Sequence, residues 1–126
     1  MVLQLIHGTT RKRAELILKF GPNPNFIEPG GTSRAESFCT CVNGAAFTTL
    51  GHPSDYARSK SAGFQDEGGP VMIIVDVPGD VVAKAVDEVY LPLSQGVVQF
   101  DEGAGLEELR LIWPTLRKKI IPVDVT

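Results

Sequence analysis

The chain has 126 residues, a formal net charge of −3 and 43% apolar residues. This length is typical of one domain, and the apolar fraction excludes both a disordered chain and a membrane-spanning one. The negative charge also disfavours a broad basic surface, on which non-specific nucleic-acid binding depends. We therefore expect a single domain over residues 1–126, with no membrane association and no strong non-specific binding to nucleic acid.

The N-terminal segment and the cysteines indicate the cellular compartment. Residues 1–7 contain no basic stretch and no small-residue cleavage site, which predicts folded structure and not a signal peptide. The two cysteines are Cys39 and Cys41, whereas a secreted domain of this size usually carries more. A zinc site would need two further ligands, for which the chain offers only His7 and His52. We predict a cytoplasmic protein with apolar thiols and no bound metal.

The first half of the chain is predicted to alternate strands and helices. Residues 2–6 form an apolar run typical of a buried strand. Residues 11–20 carry apolar side chains at helical spacing, and Gly21 is placed to end that helix. Residues 22–33 are rich in proline, glycine and asparagine, which predicts a loop. Two further strands are predicted at residues 38–42 and 45–50, and a second helix at residues 52–62.

The second half is predicted to consist mostly of strands. Residues 71–77 are rich in β-branched side chains and are bracketed by Gly-Pro and Pro-Gly pairs, which predicts a central strand. From Glu108 to Trp113, the apolar residues Leu109, Leu111 and Trp113 alternate with Glu108, Arg110 and Ile112, which is the period of a strand. Short strands are also predicted at residues 81–86, 97–100 and 120–125, and a loop at residues 65–70. This order predicts an α+β fold with mostly antiparallel sheets.

Three short motifs contain residue types suited to binding a polar ligand. The first follows the first predicted strand, and its glycine lets backbone N–H and C=O groups approach a ligand. The second joins a small-residue run to the second predicted helix. The third is an acidic residue on a late strand, placed either at a solvent-exposed edge or along a cleft. The motifs are His7-Gly8-Thr9, Gly44-Ala45-Ala46-Phe47-Thr48 with Ser54-Asp55-Tyr56-Ala57, and Glu108.

In order and spacing, these motifs resemble the ADP-ribosyltransferase superfamily, in its poly(ADP-ribose)-polymerase-like or diphtheria-toxin-like branch. That branch carries H-G-T on its first core strand, then a helix ending in glycine and a G-x-Y-F-A-like strand. A helix similar to S-x-x-A-x-Y and an E-Y-x-V-x-x-P strand follow. The resemblance spans nearly the whole chain and keeps the spacing from Glu108 to Pro114. It implies split antiparallel β-sheets with two or three short helices.

The resemblance also implies NAD as a co-substrate. His7 would bond the adenosine ribose, Thr9 would support the ribose side, and the Gly8 backbone would hold the nicotinamide carboxamide. The Ser54 hydroxyl would help Gly8. The nicotinamide ring would stack on an aromatic side chain, for which the sequence offers Tyr56 and Phe47.

Catalysis in this resemblance belongs to Glu108 with His7. Glu108 would bond the 2′-hydroxyl of the nicotinamide ribose and stabilise the positive charge that develops as nicotinamide leaves, as carboxylates do in glycoside hydrolysis. Glu107 precedes it, and a shift of one residue would exchange the two side chains. The implied activity is NAD-dependent mono-ADP-ribosyl transfer, a pentosyl transfer to a protein or nucleic acid, or NAD glycohydrolysis, in which water is the acceptor.

Three alternatives remain open. Ala46 stands where the family usually has tyrosine, so the same fold could serve as a non-catalytic nucleotide- or protein-binding module. An RNA 2′-phosphotransferase-like enzyme would need several arginines around its pocket, and the sequence offers Arg11, Arg13, Arg34 and Arg58. In the third alternative, an unrelated α+β domain, the His-Gly-Thr triplet is a coincidence.

Overall fold

The computed structural model describes residues 2–22, 38–43, 52–85, 97–100 and 104–124. These residues form five strands and four α-helices. The strands are β1 (Val2–Thr10), β2 (Phe38–Val42), β3 (Pro70–Pro78), β4 (Val97–Phe100) and β5 (Lys118–Pro122). The helices are α1 (Arg11–Phe20), α2 (Pro53–Gly63), α3 (Gly79–Ala85) and α4 (Ala104–Ile112), with 3₁₀ turns at Gln65–Glu67 and Trp113–Thr115.

The five strands form one sheet in the order β4-β2-β1-β3-β5, and every neighbouring pair is antiparallel. β1 pairs with β3 along its whole length, from Val2 opposite Pro78 to Thr10 opposite Pro70. Its register with β2 is much shorter, with Leu5 opposite Val42 and Ile6 opposite Cys41. The predicted α+β fold with antiparallel strands is therefore confirmed.

One face of the sheet carries the main hydrophobic core. Side chains alternate between the two faces along a strand, so Leu5 of β1 and its partner Val75 of β3 lie on the same face. Both belong to a buried cluster that also contains residues of α1, α3, α4 and β4. Trp113, in the turn after α4, is the largest fully buried side chain described in this cluster. This face is therefore covered by α1, α3 and α4.

The opposite face carries α2 and a second, smaller cluster. Ile6, Cys41 and Ile74 are buried there, with Ile121 of β5 packed against them. α2 lies over β1 near Gly8. The sheet therefore has helices on both faces.

Sequence signals at the ends of α1 and α2 act as predicted. The Thr10 side chain accepts a hydrogen bond from the Arg13 backbone N–H, which caps α1. Gly21 ends that helix with φ = 86°, a conformation that glycine adopts without strain. α2 has Pro53 as its first residue, where a missing N–H costs nothing, and His52 as its N-cap. Both predicted helices are confirmed.

Two predicted strands are wrong. Residues 79–85 form α3 and residues 104–112 form α4, so Glu108 lies on a helix and not on a late strand. Leu106, Leu109 and Trp113 are buried at a spacing of three and four residues, whereas Leu111 is 81% exposed. The apparent alternation from Glu108 to Trp113 therefore does not describe a sheet face. With these two additions, the described residues contain four α-helices, against the two or three that were expected.

Other boundaries shift without changing the element. β1 continues to Thr10, so the His-Gly-Thr motif lies within the strand and does not follow it. The predicted central strand is β3, which has neighbours on both sides, although β1 occupies the middle of the sheet. The closing strand is β5, which begins two residues earlier than predicted. The predicted loop at 65–70 contains a 3₁₀ turn. Most of the predicted loop at 22–33 and the predicted strand at 45–50 fall outside the described residues.

Within the described ranges, every helix is too short or too polar to cross a lipid bilayer.

Candidate functional site

The backbone N–H and C=O groups of Gly8 point toward the neighbouring strand β2. The Asn43 N–H, just after β2, donates to the Gln4 carbonyl at 2.9 Å, so the peptide groups of Gln4 point toward β2. Along a strand this direction repeats every second residue, so Gly8 and Thr10 point the same way. The described β1–β2 register covers only Leu5 and Ile6. We call the β2-facing backbone of Gly8–Thr10 the Gly8 edge.

Helix α2 packs directly against this edge. A Cβ atom built on Gly8 would overlap the carbonyl oxygen of Pro53 and lie 3.0 Å from the backbone nitrogen of Ala57. Both Pro53 and Ala57 are buried. The glycine of the His-Gly-Thr motif is therefore required for the close packing of strand and helix, a role that its sequence context alone did not reveal.

A lysine of α2 donates a hydrogen bond to the carbonyl oxygen of the Gly8 edge. The Lys60 Nζ donates a hydrogen bond to the Gly8 carbonyl oxygen at 3.0 Å. Lys60 is half-buried, so its aliphatic stem packs against the fold while its ammonium reaches the strand. The ammonium thus bonds a carbonyl in the segment beyond the described β1–β2 ladder. Nothing in the local sequence signals this contact, because the two residues lie 52 positions apart.

The first turn of α2 holds Ser54 in a capping arrangement. The Ser54 N–H donates to the His52 Nδ1 at 3.1 Å, and the Ser54 Oγ lies 2.8 Å from the same nitrogen. Because Nδ1 accepts a backbone N–H, the neutral imidazole carries its proton on Nε2. Tyr56, one turn from His52, is half-buried on the same helix. The structure therefore brings the helix of Ser54 and Tyr56 against Gly8.

His7 and Thr9 point away from that helix. Side chains alternate along β1, so these two lie on the face opposite to the one that Gly8 presents to α2. Both are buried, His7 at 7% exposure and Thr9 at 0%. Their side chains share the face of Leu5 and the main core. His7 and Tyr56 consequently do not lie on one face of the sheet.

Glu108 lies on α4 in an ion pair at the protein surface. Its Oε2 is 2.5 Å from the Lys84 Nζ of α3, and the two side chains are 33% and 53% exposed. The hydrogen bond that Lys84 donates to Glu108, together with the negative charge of that carboxylate, raises the pKa of Lys84. Glu107 is exposed on the same helix. The structure therefore does not place this carboxylate on a strand beside the His-Gly-Thr motif.

The remaining candidates are divided between described and undescribed residues. Phe47, with its neighbour Ala46, and Arg34 fall outside the described ranges. Of the other candidate arginines, Arg58 bonds the Asp55 carboxylate at 3.1 Å and the Asp124 carbonyl at 2.7 Å, and Arg11 is exposed. Cys41 is buried and forms no disulfide with another described residue. Among the described residues, no three His, Cys, Asp or Glu side chains are grouped to hold a metal ion.

A half-buried polar cluster at the start of α1 was missed by sequence reasoning. The Arg13 guanidinium donates to both Glu67 oxygens, at 2.7 and 3.3 Å, and the Thr10 hydroxyl donates to Glu67 Oε1 at 2.8 Å. Arg13 also stacks over the Phe64 ring, 4.6 Å from its centre. Thr10 and Arg13 lie more than 50 residues from Glu67 in the chain, and no local pattern predicts that they meet.

The described residues fit NAD only in part. The Gly8 edge presents the Gly8 N–H as a donor beside an aromatic-bearing helix, while the Gly8 carbonyl already accepts a hydrogen bond from Lys60. The Glu108 carboxylate, paired with Lys84 on α4, does not fit the catalytic position that the resemblance implies. Searches against models of known families, curated proteins and solved structures found no match to this chain.

Proposed function

We propose that this chain is a non-catalytic binding module for a pyridine dinucleotide such as NAD, with an ADP-ribosyltransferase-like fold. One observation carries the proposal: the Gly8 N–H points toward β2 beyond the described β1–β2 register, and α2 packs beside it. Backbone groups at a strand edge recognise a planar amide by the same pairing that joins strands. The proposed compartment is the cytoplasm.

The sheet itself supports the fold part of the proposal. β4 pairs with β2 over four residues, and β3 pairs with both β1 and β5 over longer registers. Among the described residues, these two groups of strands meet at Leu5 and Ile6 of β1 and at the bond from the Asn43 N–H to the Gln4 carbonyl. An antiparallel sheet with helices on both faces is compatible with the fold that the sequence resemblance implies.

Each side of the proposed site has a separate role. The Gly8 edge holds the nicotinamide end of the ligand, and Tyr56 offers a half-buried ring for stacking. Ser54 orients the first turn of α2 through His52. In this proposal His7 and Thr9 support β1 from the core side and do not make the ribose contacts that the resemblance implies. The finer assignments of Phe47 stay predictions.

The position of Glu108 favours the binding module over the transferase or glycohydrolase. A catalytic carboxylate must lie against the ribose where positive charge develops. Glu108 instead bonds an exposed lysine on the neighbouring helix. RNA 2′-phosphotransferase activity is disfavoured by Arg13 and Arg58, whose guanidinium groups are bound to Glu67 and Asp55.

The test combines NAD binding with nicotinamide release. NAD is titrated into the purified protein by calorimetry, and free nicotinamide is followed by chromatography after incubation. We expect saturable binding without release. Tyr56→Ala should weaken binding about tenfold because a stacked ring is lost. Glu108→Gln, the matched control, should bind like the parent.

Two results contradict the proposal. Nicotinamide release by the parent that is lost in Glu108→Gln would establish the NAD-cleaving enzyme, and its acceptor would become the next question. Absence of binding by a folded parent protein would leave a resemblance in fold without the function.

A further inference from the structure

Strand β5 forms one edge of the sheet. Among the strands that the structure describes, it has a neighbour only on the side of β3. The Arg117 carbonyl, just before β5, accepts a hydrogen bond from the Asp76 N–H of β3 at 2.9 Å. Because the direction of the peptide groups alternates along a strand, the N–H and C=O groups of Lys118 and Ile120 point away from β3. These groups can pair with a further strand.

The side chains along this edge combine positive charge with apolar surface. Arg117 and Lys119 are exposed and, being two residues apart, lie on the same face of the sheet. Ile120 packs at the margin of the main cluster and Ile121 at the margin of the smaller one, and both are half-buried. The Lys118 ammonium is turned back to two backbone carbonyls after α4, at 2.9 and 3.1 Å. A strand laid beside β5 would therefore meet two exposed cations on one face and an isoleucine on each face.

Charge distinguishes between the possible occupants of this edge. Two copies of β5, paired antiparallel through the outward groups of Lys118 and Ile120, would place Lys119 directly opposite its own copy. Like charges directly opposite each other destabilise a strand pair. Pairing centred on Ile120 would instead set Lys118 opposite Pro122, which has no N–H to donate. An acidic segment in extended conformation has neither disadvantage, and its carboxylates would form charge-assisted hydrogen bonds with the exposed cations.

We propose that the outer edge of β5 binds an extended acidic segment of another protein, which adds to the sheet as a further strand. Backbone pairing with Lys118 and Ile120 supplies affinity, as in other domains that recognise peptides by strand addition. Carboxylates of the segment bond Arg117 and Lys119, and its apolar residues cover the isoleucines. β3 lies between β5 and β1, so this surface is separate from the Gly8 edge and does not depend on dinucleotide binding.

The experiment follows the binding of fluorescein-labelled hexapeptides to the full chain by fluorescence anisotropy. The first peptide is Thr-Val-Val-Glu-Thr-Glu, whose antiparallel pairing sets its third residue opposite Ile120 and its glutamates opposite Lys119 and Arg117. The second has lysine in place of both glutamates. The third is the glutamate peptide with an N-methyl group on its third residue, where the N–H would bond the Ile120 carbonyl. We expect the first to bind saturably and the other two about tenfold more weakly.

Substitutions in the chain test the same contacts from the other side. Lys119→Glu should abolish the preference for the glutamate peptide over the lysine peptide, and the double variant with Arg117→Glu should reverse it. Arg110→Glu, the matched control, replaces an exposed cation of α4 and should bind the peptides like the parent. Trp113 emission and circular dichroism verify that each variant is folded.

Three results overturn the proposal. The first is failure of the glutamate peptide to bind the folded parent, or a preference that Lys119→Glu leaves unchanged. The second is equal binding of the N-methyl peptide, because contact through charge alone needs no backbone pairing. The third is a parent that sediments as a dimer and becomes monomeric in the folded variant Ile120→Pro, which assigns the edge to a second copy. A preference that follows the charges at positions 117 and 119 and requires the peptide N–H supports strand addition by an acidic segment.

Discussion

A close approach to the backbone of Gly8 was predicted correctly, but the group that makes the approach was not. The sequence indicated a glycine where a backbone must be approached closely, and such an approach is found. The approaching group, however, is the first turn of α2, whose Pro53 carbonyl occupies the space of a Cβ atom. Sequence alone could not distinguish a ligand from a helix at this position, because both require the absence of a side chain.

Gly8→Ala should destabilise the fold by about 3 kcal/mol, because a backbone carbonyl cannot rotate aside and α2 must move away from β1. The measurement is the free energy of unfolding in urea. Gly63→Ala is the matched control: its Cβ meets no atom within 4 Å, and alanine favours a helix, so stability should rise by about 0.5 kcal/mol. Equal effects of the two substitutions would contradict the close packing at Gly8.

At the scale of elements, the helices at the chain's front were predictable and those in its second half were not. α1 and α2 carry local end signals, namely Thr10 and Gly21 for α1 and Pro53 for α2. In α4 the apolar residues fit two periods at once, since Leu109 and Trp113 belong to both. Only packing decides between them, and the core lies on the side of Leu106, leaving Leu111 exposed. The position of Glu108 depended on this choice.

The ion pair between Arg13 of α1 and Glu67 of the 3₁₀ turn predicts that the free energy of unfolding falls in acid. Hydrogen bonds from Arg13 chiefly, and from Thr10, lower the pKa of Glu67 below its ordinary value of 4.5, against the opposing effect of burial. A carboxyl group with a lowered pKa stabilises the folded state above the unfolded pKa. This contribution is lost as the pH falls from about 4.5 through the lower pKa of the folded state.

Glu67→Gln should therefore lower the free energy of unfolding by about 1–2 kcal/mol at neutral pH and flatten its decline in acid. Urea unfolding of parent and variant across this pH range is the measurement. Glu107→Gln, on the exposed face of α4, serves as the control and should keep the parent's acid slope. A parent slope that persists in Glu67→Gln would assign the acid sensitivity to other groups.

For the whole molecule, the fold class followed from the order of elements, but the strand order did not. β1 and β3 pair although roughly 60 residues separate them, and no local pattern encodes such a partner. The candidate site was likewise predictable only in part. The order of the motifs placed the helix of Ser54 and Tyr56 beside Gly8, as the structure does. It could not reveal Lys60 on the Gly8 carbonyl or Lys84 on Glu108, because both contacts depend on tertiary packing.

The distribution of the core predicts how the protein unfolds. The main cluster joins β1, α1, β3, α3, β4 and α4 through one set of buried side chains, so no described helix on this face has a core of its own. Trp113 connects α4 to the end of α1: its indole N–H donates to the Leu18 carbonyl at 3.2 Å, and a Cβ atom built on Gly21 would lie 3.5 Å from its ring. Trp113 is the chain's single tryptophan, so its emission reports on this junction.

We expect urea unfolding followed by Trp113 emission to coincide with unfolding followed by far-ultraviolet circular dichroism, as a single cooperative transition requires. Separation of α4 and its turn would expose the buried side chains that they contribute to the main cluster, so this step should not occur while the sheet persists. Leu111→Ala, which removes an exposed side chain from α4, should leave both curves unchanged. An earlier transition in Trp113 emission would mean that the α4 segment unfolds independently, and the two faces of the sheet would then differ in stability.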